Sequence, residues 1–219
     1  MGEQTRCCSR VWIFDLDNTL HDASKHIFPF LHRSMNEYIQ THLSLDVEKA
    51  AELRRHYWLK YGATLSGLIR HHGTDPAHFL WATHQLPNPG RMIIRPPGLR
   101  NALRKLPGRK IVFSNSPRHY AEIVLSRLGL RPYIHAVYTI EDCGYRGKPD
   151  RHSFQALLSD ARLDPCQCVM VEDSLVNLKT AKAFGMKTIW VHASAKSPSY
   201  VDARIRSVER VCQVMRVLS

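Results

Sequence analysis

The tightest constraint on this chain lies near its start, in Val11-Trp12-Ile13-Phe14-Asp15-Leu16-Asp17-Asn18-Thr19-Leu20. Four apolar residues run without a polar break into Asp15. A run that short, rich in β-branched and aromatic side chains, suits a strand buried on both faces of a parallel sheet. Asp17 and Asn18 then supply turn chemistry. Two carboxylates therefore sit at the carboxyl end of a buried strand, where open α/β sheets bind their ligands. Read alone, the stretch serves equally well as an ordinary Asp/Asn turn.

Three later segments bear on that choice. Ile111-Val112-Phe113 is a second apolar run and ends in Ser114-Asn115-Ser116. Gly147-Lys148-Pro149-Asp150 sets a lone lysine in a tight turn, and Val169-Met170-Val171 runs into Glu172-Asp173-Ser174. Each residue has a bland alternative. Ser114 and Asn115 also suit a helix-starting turn, Lys148 a surface lysine, and Glu172-Asp173 first-turn acids favoured by the helix dipole. Their joint order, each at a strand end or turn, carries the functional reading. The constellation, from about Val11 to Val191, resembles the haloacid dehalogenase superfamily of phosphotransferases. The motifs of that family are DxDx[TV], a Ser or Thr after a strand, a Lys and an acidic pair.

The fold class expected is α/β: a Rossmann-like, doubly wound, mostly parallel sheet core with an all-helical cap inserted after the first strand. Ninety-nine positions separate Asp15 from Ser114, whereas a βαβ unit needs only about 30. The excess reads as helices. Phe28, Leu31, Met35, Tyr38 and Ile39 recur at helical spacing, as do Val47, Ala50, Ala51, Leu53, Tyr57 and Trp58 behind Asp46. Asp75-Pro76 is a cap followed by proline at the first helical position. This places the cap at residues 22–93 and the core at 1–21 plus 94–219. In the core, helices are expected over Leu99–Leu106, from a Ser116-Pro117 cap to Gly129, over Asp150–Ala161 and over Ser174–Phe184. Strands are expected at His135–Thr139, Lys187–Val191 and Ile205–Val208, with a terminal helix over Glu209–Leu218.

Composition narrows the class. With 44% hydrophobic and 23% charged residues the chain is globular rather than disordered. Its 31 basic residues against 19 acidic ones give +12, which attracts anions from nucleic acid to phosphorylated metabolites. The basic residues are scattered, as in Arg54-Arg55 and Arg70-His71-His72, and lack the aromatic interleaving of an RNA platform. Cys7-Cys8 and Cys166-Gln167-Cys168 show no zinc-ribbon spacing, so reduced thiols and a cytoplasmic setting are expected. Cys166 and Cys168 would share a strand face as i and i+2. Met1–Arg6 lacks both a signal-peptide core and a myristoylation serine or threonine, and no apolar run reaches membrane-span length.

The resemblance also assigns roles. It implies Mg2+-dependent hydrolysis of a small phosphorylated metabolite, with no membrane partner. Asp15 is the nucleophile, forming an aspartyl-phosphate. Asp17 protonates the leaving oxygen and then activates water; dehalogenase relatives lack this second Asp. Ser114, Asn115 and Lys148 bind the phosphoryl group. The Asp15 carboxylate, the Asp17 backbone carbonyl and Asp173 hold the metal, with Glu172 in its outer sphere and Asn177 reaching in from the following helix.

Tyr61-Gly62-Ala63-Thr64-Leu65-Ser66-Gly67-Leu68 followed by Asp75-Pro76, and the register from Arg95 to His119, resemble the pyrimidine 5′-nucleotidase branch. That branch usually has Thr-Asn-Gly at the second motif, where Ser116 here replaces the Gly, and often Thr where Ala63 stands. The resemblance implies nucleoside 5′-monophosphate hydrolysis. Tyr61 then stacks on a base and Thr64 bonds its edge; alternatively Tyr61 is core and Gly62 a helix end. Two rival readings share the residues: a sugar-phosphate or phosphoglycolate phosphatase or phosphomutase, and a non-catalytic basic nucleic-acid-binding module. Retention of both Asp15 and Asp17 counts against the last. The pattern specifies no oligomeric state.

Overall fold

A computed structural model describes residues 10–194 and 196–218. The readings made on Met1–Arg6 and on Cys7 and Cys8 lie outside the described residues. Among the described residues one sheet forms from β1 (Val11–Phe14), β2 (Arg109–Phe113), β3 (Ala136–Tyr138), β4 (Cys168–Glu172), β5 (Lys187–Val191) and β6 (Ala203–Ile205). Its order is β3-β2-β1-β4-β5-β6, and every pairing is parallel, not merely most of them. The chain steps outward from β1 to β3, then crosses back to build β4 to β6 on the other side. That reversal puts the switch point at β1. Phe14 lies level with Val112 on one neighbour and Val171 on the other. Asp15, Ser114 and Glu172 thus leave the sheet at one edge, within a residue or two of the same level.

Both faces of the sheet are covered, which is why β1 needs no polar alternation. Trp12, Phe14, Val112, Val169, Val171 and Ile189 join one apolar cluster with α6 (Leu99–Lys105) and α7 (Arg118–Leu128). Val11, Ile13, Ile111, Phe113 and Met170 join another with α8 (Arg151–Asp160) and α9 (Leu175–Ala183). The period of two along each strand sorts alternate residues onto opposite faces.

The long excursion after β1 is helical, as expected: α1 (Ile27–Leu43), α2 (Val47–Tyr61), α3 (Thr64–His72), α4 (Pro76–Thr83) and the short α5 (Pro89–Met92). Asp46 accepts from Lys49 N at 2.8 Å and Asp75 from Ala77 N at 2.9 Å, so both acids cap their helices. A separate core of Tyr38, Ile39, Tyr57, Leu65, Leu68, Phe79 and Leu80 holds α1 to α4 together, whereas Met92 of α5 packs on the sheet-side cluster. Ile140, just beyond β3, packs into it and ties the insertion to the sheet.

Several details differ from the sequence reading. Of the two readings of Tyr61–Leu68, the helix end at Gly62 is seen: at φ 76° it closes α2, and α3 begins already at Thr64. Two residues suffice to turn because glycine adopts the left-handed conformation without strain. Of the positions expected on the apolar face of α2, Ala50 and Tyr57 are buried but Val47 and Trp58 are exposed. Ser116 makes no cap to α7; its hydroxyl goes to Asp17. Cys166 sits in a 3-10 turn before β4, so it shares no strand face with Cys168. The last strand lies earlier than expected, at Ala203–Ile205, and the terminal segment Val208–Leu218 is 3-10 rather than α.

The α2–α3 contact depends on one small residue. A methyl group on Gly67 would meet Cγ of Tyr57 at 2.2 Å. Alanine gains about 1 kcal/mol in helix propensity over glycine, but overpacking costs about 1–3 kcal/mol. Gly67→Ala is therefore expected to lower the urea midpoint of unfolding. A raised midpoint would show that the Tyr57 ring moves aside freely.

Candidate active site

Lys148 reaches the sheet edge from the turn before α8. It is only 4% exposed, although a lysine beside Pro149 would pass for a surface residue. Its Nζ donates to Asp15 Oδ1 at 2.7 Å, Phe113 O at 2.7 Å and Glu172 Oε2 at 2.9 Å. All three ammonium protons are accounted for. Glu172 uses its other oxygen to accept from Ser174 N at 3.1 Å, so both its oxygens are engaged. Asp173 is fixed through its main chain, whose carbonyl accepts from Trp190 Nε1 at 2.8 Å. Nothing in the sequence singled out Trp190, which was read only as part of a strand.

One lysine faces three acids. Burial, then the Glu172 charge, pushes Asp15 up to about 7 against the pull of Lys148. Burial likewise pushes Glu172 up to about 7, with Lys148 opposing. Asp173 is raised as well, by burial and by the Asp15 charge. Burial works against the Lys148 charge, but Asp15 and Glu172 outweigh it and hold its pKa above that of an ordinary lysine. Carboxylate oxygens of Asp15, Glu172 and Asp173 lie within 4.8 Å of one another. Such an all-oxygen donor set with excess negative charge fits a hard divalent cation.

Ser114 is buried at the end of β2, its Oγ accepting from Ser116 N at 3.0 Å. The hydroxyl proton remains available to a phosphoryl oxygen. The Asn115 side chain is not: its Nδ2 donates to Lys148 O at 2.8 Å and its Oδ1 accepts from Lys148 N at 2.7 Å. It clamps the lysine turn, so both side-chain atoms expected to meet phosphate are committed to backbone.

The Asp17 carboxylate sits in a cradle of donors. Oδ1 accepts from Tyr120 Oη at 2.5 Å and His21 Nε2 at 2.9 Å; Oδ2 accepts from Ser116 Oγ at 2.7 Å. Burial alone would raise its pKa, but the bonds from His21, Tyr120 and Ser116 win and hold it below the usual value. His21 and Tyr120 were missed because each reads as an ordinary turn or helix residue. Just beyond, His84 is buried at the end of α4, and desolvation lowers its pKa to about 4.

The residues expected to read the substrate, Tyr61 and Thr64, form hydrogen bonds within the cap. Tyr61 is half-buried and its hydroxyl pairs with His71 Nε2 at 2.6 Å. Thr64 is buried and its hydroxyl donates to Arg54 O at 3.1 Å, tying α3 to α2. That bond removes the free donor expected for a base edge. Asn177 is buried in the first turn of α9, following the acidic pair.

Lys148→Met tests the charge balance. A carboxyl whose folded pKa exceeds its unfolded value contributes stability below the unfolded pKa and loses it as pH rises through the folded one. Asp15 and Glu172 lie near 7 with Lys148 in place, and its removal moves both higher. In metal-free buffer the stability deficit of the variant is expected to grow from about pH 6 to about pH 9, towards the ~3–5 kcal/mol of a broken buried pair. An equal deficit at both pH values in urea unfolding would contradict the assignment.

The wider comparisons agree with this geometry. The family profile for haloacid dehalogenase-like hydrolase matches residues 10–185. Phosphate metabolism protein 8 of Saccharomyces cerevisiae is 25% identical over 194 residues, 81% of this chain and 60% of that protein. Validoxylamine A 7′-phosphate phosphatase of Streptomyces hygroscopicus subsp. limoneus is 27% identical over 94 residues, 43% of this chain and 44% of that enzyme. The chain thus spans about half the length of these curated relatives. Among solved structures, a haloacid dehalogenase-type phosphatase from Thermococcus onnurineus superposes with a TM-score of 0.68 at 20% identity, over 94% of this chain and 97% of that one. With a family match across most of its length and the fold to accompany it, the chain belongs to the haloacid dehalogenase-like hydrolases.

Proposed function

We propose that this hydrolase is a Mg2+-dependent phosphatase that cleaves a small phosphomonoester through an aspartyl-phosphate on Asp15. The observation that carries the reading is the pairing of Asp15, held at Oδ1 by Lys148, with a second carboxylate two residues on. Lys148 orients Asp15 and leaves Oδ2 to attack phosphorus. As that bond forms, the bond to the leaving oxygen breaks, and Asp17 in its protonated form supplies a proton. Water then attacks the acyl-phosphate, Asp17 takes its proton, and phosphate leaves as the Asp15 carboxylate is restored. The cradle holds Asp17 ionised, which suits the base half of this cycle. Ser114 donates to a phosphoryl oxygen, and Lys148 offsets charge there.

Asp15, Asp173 and the Asp17 backbone carbonyl would hold Mg2+, with Glu172 behind them because its oxygens are engaged. When bound, the ion supplies positive charge that lets a carboxylate approach a phosphate dianion.

For the substrate, we take a pyrimidine nucleoside 5′-monophosphate as the leading class, on the likeness of Tyr61–Leu68 and of the register around Ser114 to that branch. The Streptomyces relative, named for a 7′-phosphate substrate, favours a sugar-type phosphate as second reading. The nucleic-acid-binding alternative has no support in the site, which is built from buried acids. Among the described residues no helix is long and apolar enough to cross a membrane.

A phosphate-release panel of nucleotides, sugar phosphates and phosphoglycolate, with and without Mg2+, separates these classes. Asp15→Asn is expected to abolish turnover of every substrate while the protein stays folded, because the amide keeps the shape but cannot attack phosphorus. Hydrolysis above background by that variant would remove Asp15 as nucleophile. Asp173→Ala is expected to raise the Mg2+ concentration needed for half-maximal rate, and full activity in EDTA would contradict metal dependence.

A further inference from the structure

Asp17 is held by more bonds than its turn requires. Asn18 already closes the loop, its Oδ1 accepting from Ala23 N at 3.1 Å, Ser24 N at 3.1 Å and Ser24 Oγ at 3.0 Å. The three donors on Asp17 come from separate places: His21 from the same loop, Ser116 from the β2–α7 turn, and Tyr120 from α7. A carboxylate offers about four lone-pair directions. Two donors fill Oδ1, and one direction on Oδ2 stays open.

Neither Tyr120 nor His21 has another polar partner among the described residues. The Tyr120 hydroxyl, on a fully buried side chain, bonds Asp17 alone. His21 is 2% exposed, and its Nδ1 is buried with no partner, so its only hydrogen bond is also to Asp17. The acceptor being a carboxylate, Nε2 must carry the proton. A histidine buried with one nitrogen unsatisfied is a poor stabiliser; its placement is explained by what it does to Asp17. The Tyr120 ring is itself fixed. His84 stands edge to face against it at 5.7 Å, held in turn by Thr83 Oγ1 at 2.9 Å and Leu80 O at 3.2 Å.

We propose that Tyr120, with His21 and Ser116, is a positioning residue for Asp17: the cradle turns the carboxylate so that the open direction on Oδ2 is the one presented to leaving group and water. The inference rests on the phosphatase reading above, and it adds no chemical step. Without the Tyr120 hydroxyl, Asp17 keeps its charge but gains alternative orientations, and the aligned fraction falls.

A double-mutant cycle on Mg2+-loaded enzyme with 4-nitrophenyl phosphate tests this. Tyr120→Phe keeps the ring and is expected to lower kcat about tenfold with KM changed by less than about threefold, a scale typical of misplacing a reacting group. In the Asp17→Asn background the same change is expected to cost less than about twofold, because the group it positions is gone. His21→Leu is expected to behave as Tyr120→Phe does, and His21→Gln, which retains an N–H donor, to recover most of the rate. Should thermal unfolding show that Tyr120→Phe fails to fold, the His21 pair completes the same cycle. Equal losses in both Asp17 backgrounds, or no rescue by Gln, would overturn the proposal and leave the phosphatase reading standing. A wild-type protein that hydrolyses no phosphomonoester would overturn both.

Discussion

One buried ammonium group ties together the three central strand ends at which the acids converge. Lys148 Nζ joins the end of β1 through Asp15, the end of β2 through the Phe113 carbonyl and the end of β4 through Glu172. Those three strands are adjacent at the centre of the sheet. The lysine is delivered by a turn with no regular structure, so the turn must be fixed by other means. Asn115 does this with two bonds to the Lys148 main chain, and it approaches Gly147 so closely that a methyl group there would lie 2.9 Å from its side chain. The second motif and the third are therefore one mechanical unit. This is why Asn115, at a position that invites a phosphate contact, has its side chain committed to backbone.

The same cluster sets the charge balance among its acids. Three acids share one cation in a buried space, and burial with mutual repulsion raises all three pKa values. Such an arrangement is costly in isolation and is relieved by added positive charge. Asp17 is the counter-case, two residues from Asp15. Somewhat more exposed than Asp15, it is pulled the other way by three donors. Neighbouring carboxyls in one loop are thus driven apart by their surroundings, the arrangement that lets two similar groups take different parts in a reaction.

The core was legible because its signals are local and redundant. Val11–Phe14 carries strand length, burial and the ensuing acids in one stretch, and the sheet needs little more than three such runs to be ordered. Asp46 and Asp75 announced their helices through capping chemistry that acts within three residues. What escaped notice depends on contacts far apart in the chain. The bonds from Ser116 and Tyr120 to Asp17 span 99 and 103 positions, and no periodicity reports them. Ser116 was misread for that reason: its position before Pro117 is that of a cap, but a buried carboxylate is the stronger acceptor. The sheet topology likewise required the chain to reverse at β1, which follows from the fold as a whole.

The cap was harder to read for a different reason. Its small and aromatic residues are of types that suit packing and recognition alike, and sequence pattern does not separate the two. Gly67 is small because Tyr57 crosses it, Thr64 is polar because it bonds α2, and Tyr61 pairs with His71. Each satisfies a demand internal to the helices, so none needs a ligand to account for it. The contacts that leave the cap are of another kind. Ile140 enters its core from the sheet side, and His84 leaves α4 to pack on Tyr120. Beyond His84, Trp81 is exposed on α4 with its ring 4.9 Å from that of His119 on α7. The aromatic path from Asp17 thus runs through Tyr120 and His84 to the junction of cap and core. Aromatic contacts between cap and core run from α4 to α7, in the same neighbourhood as the bonds that hold Asp17.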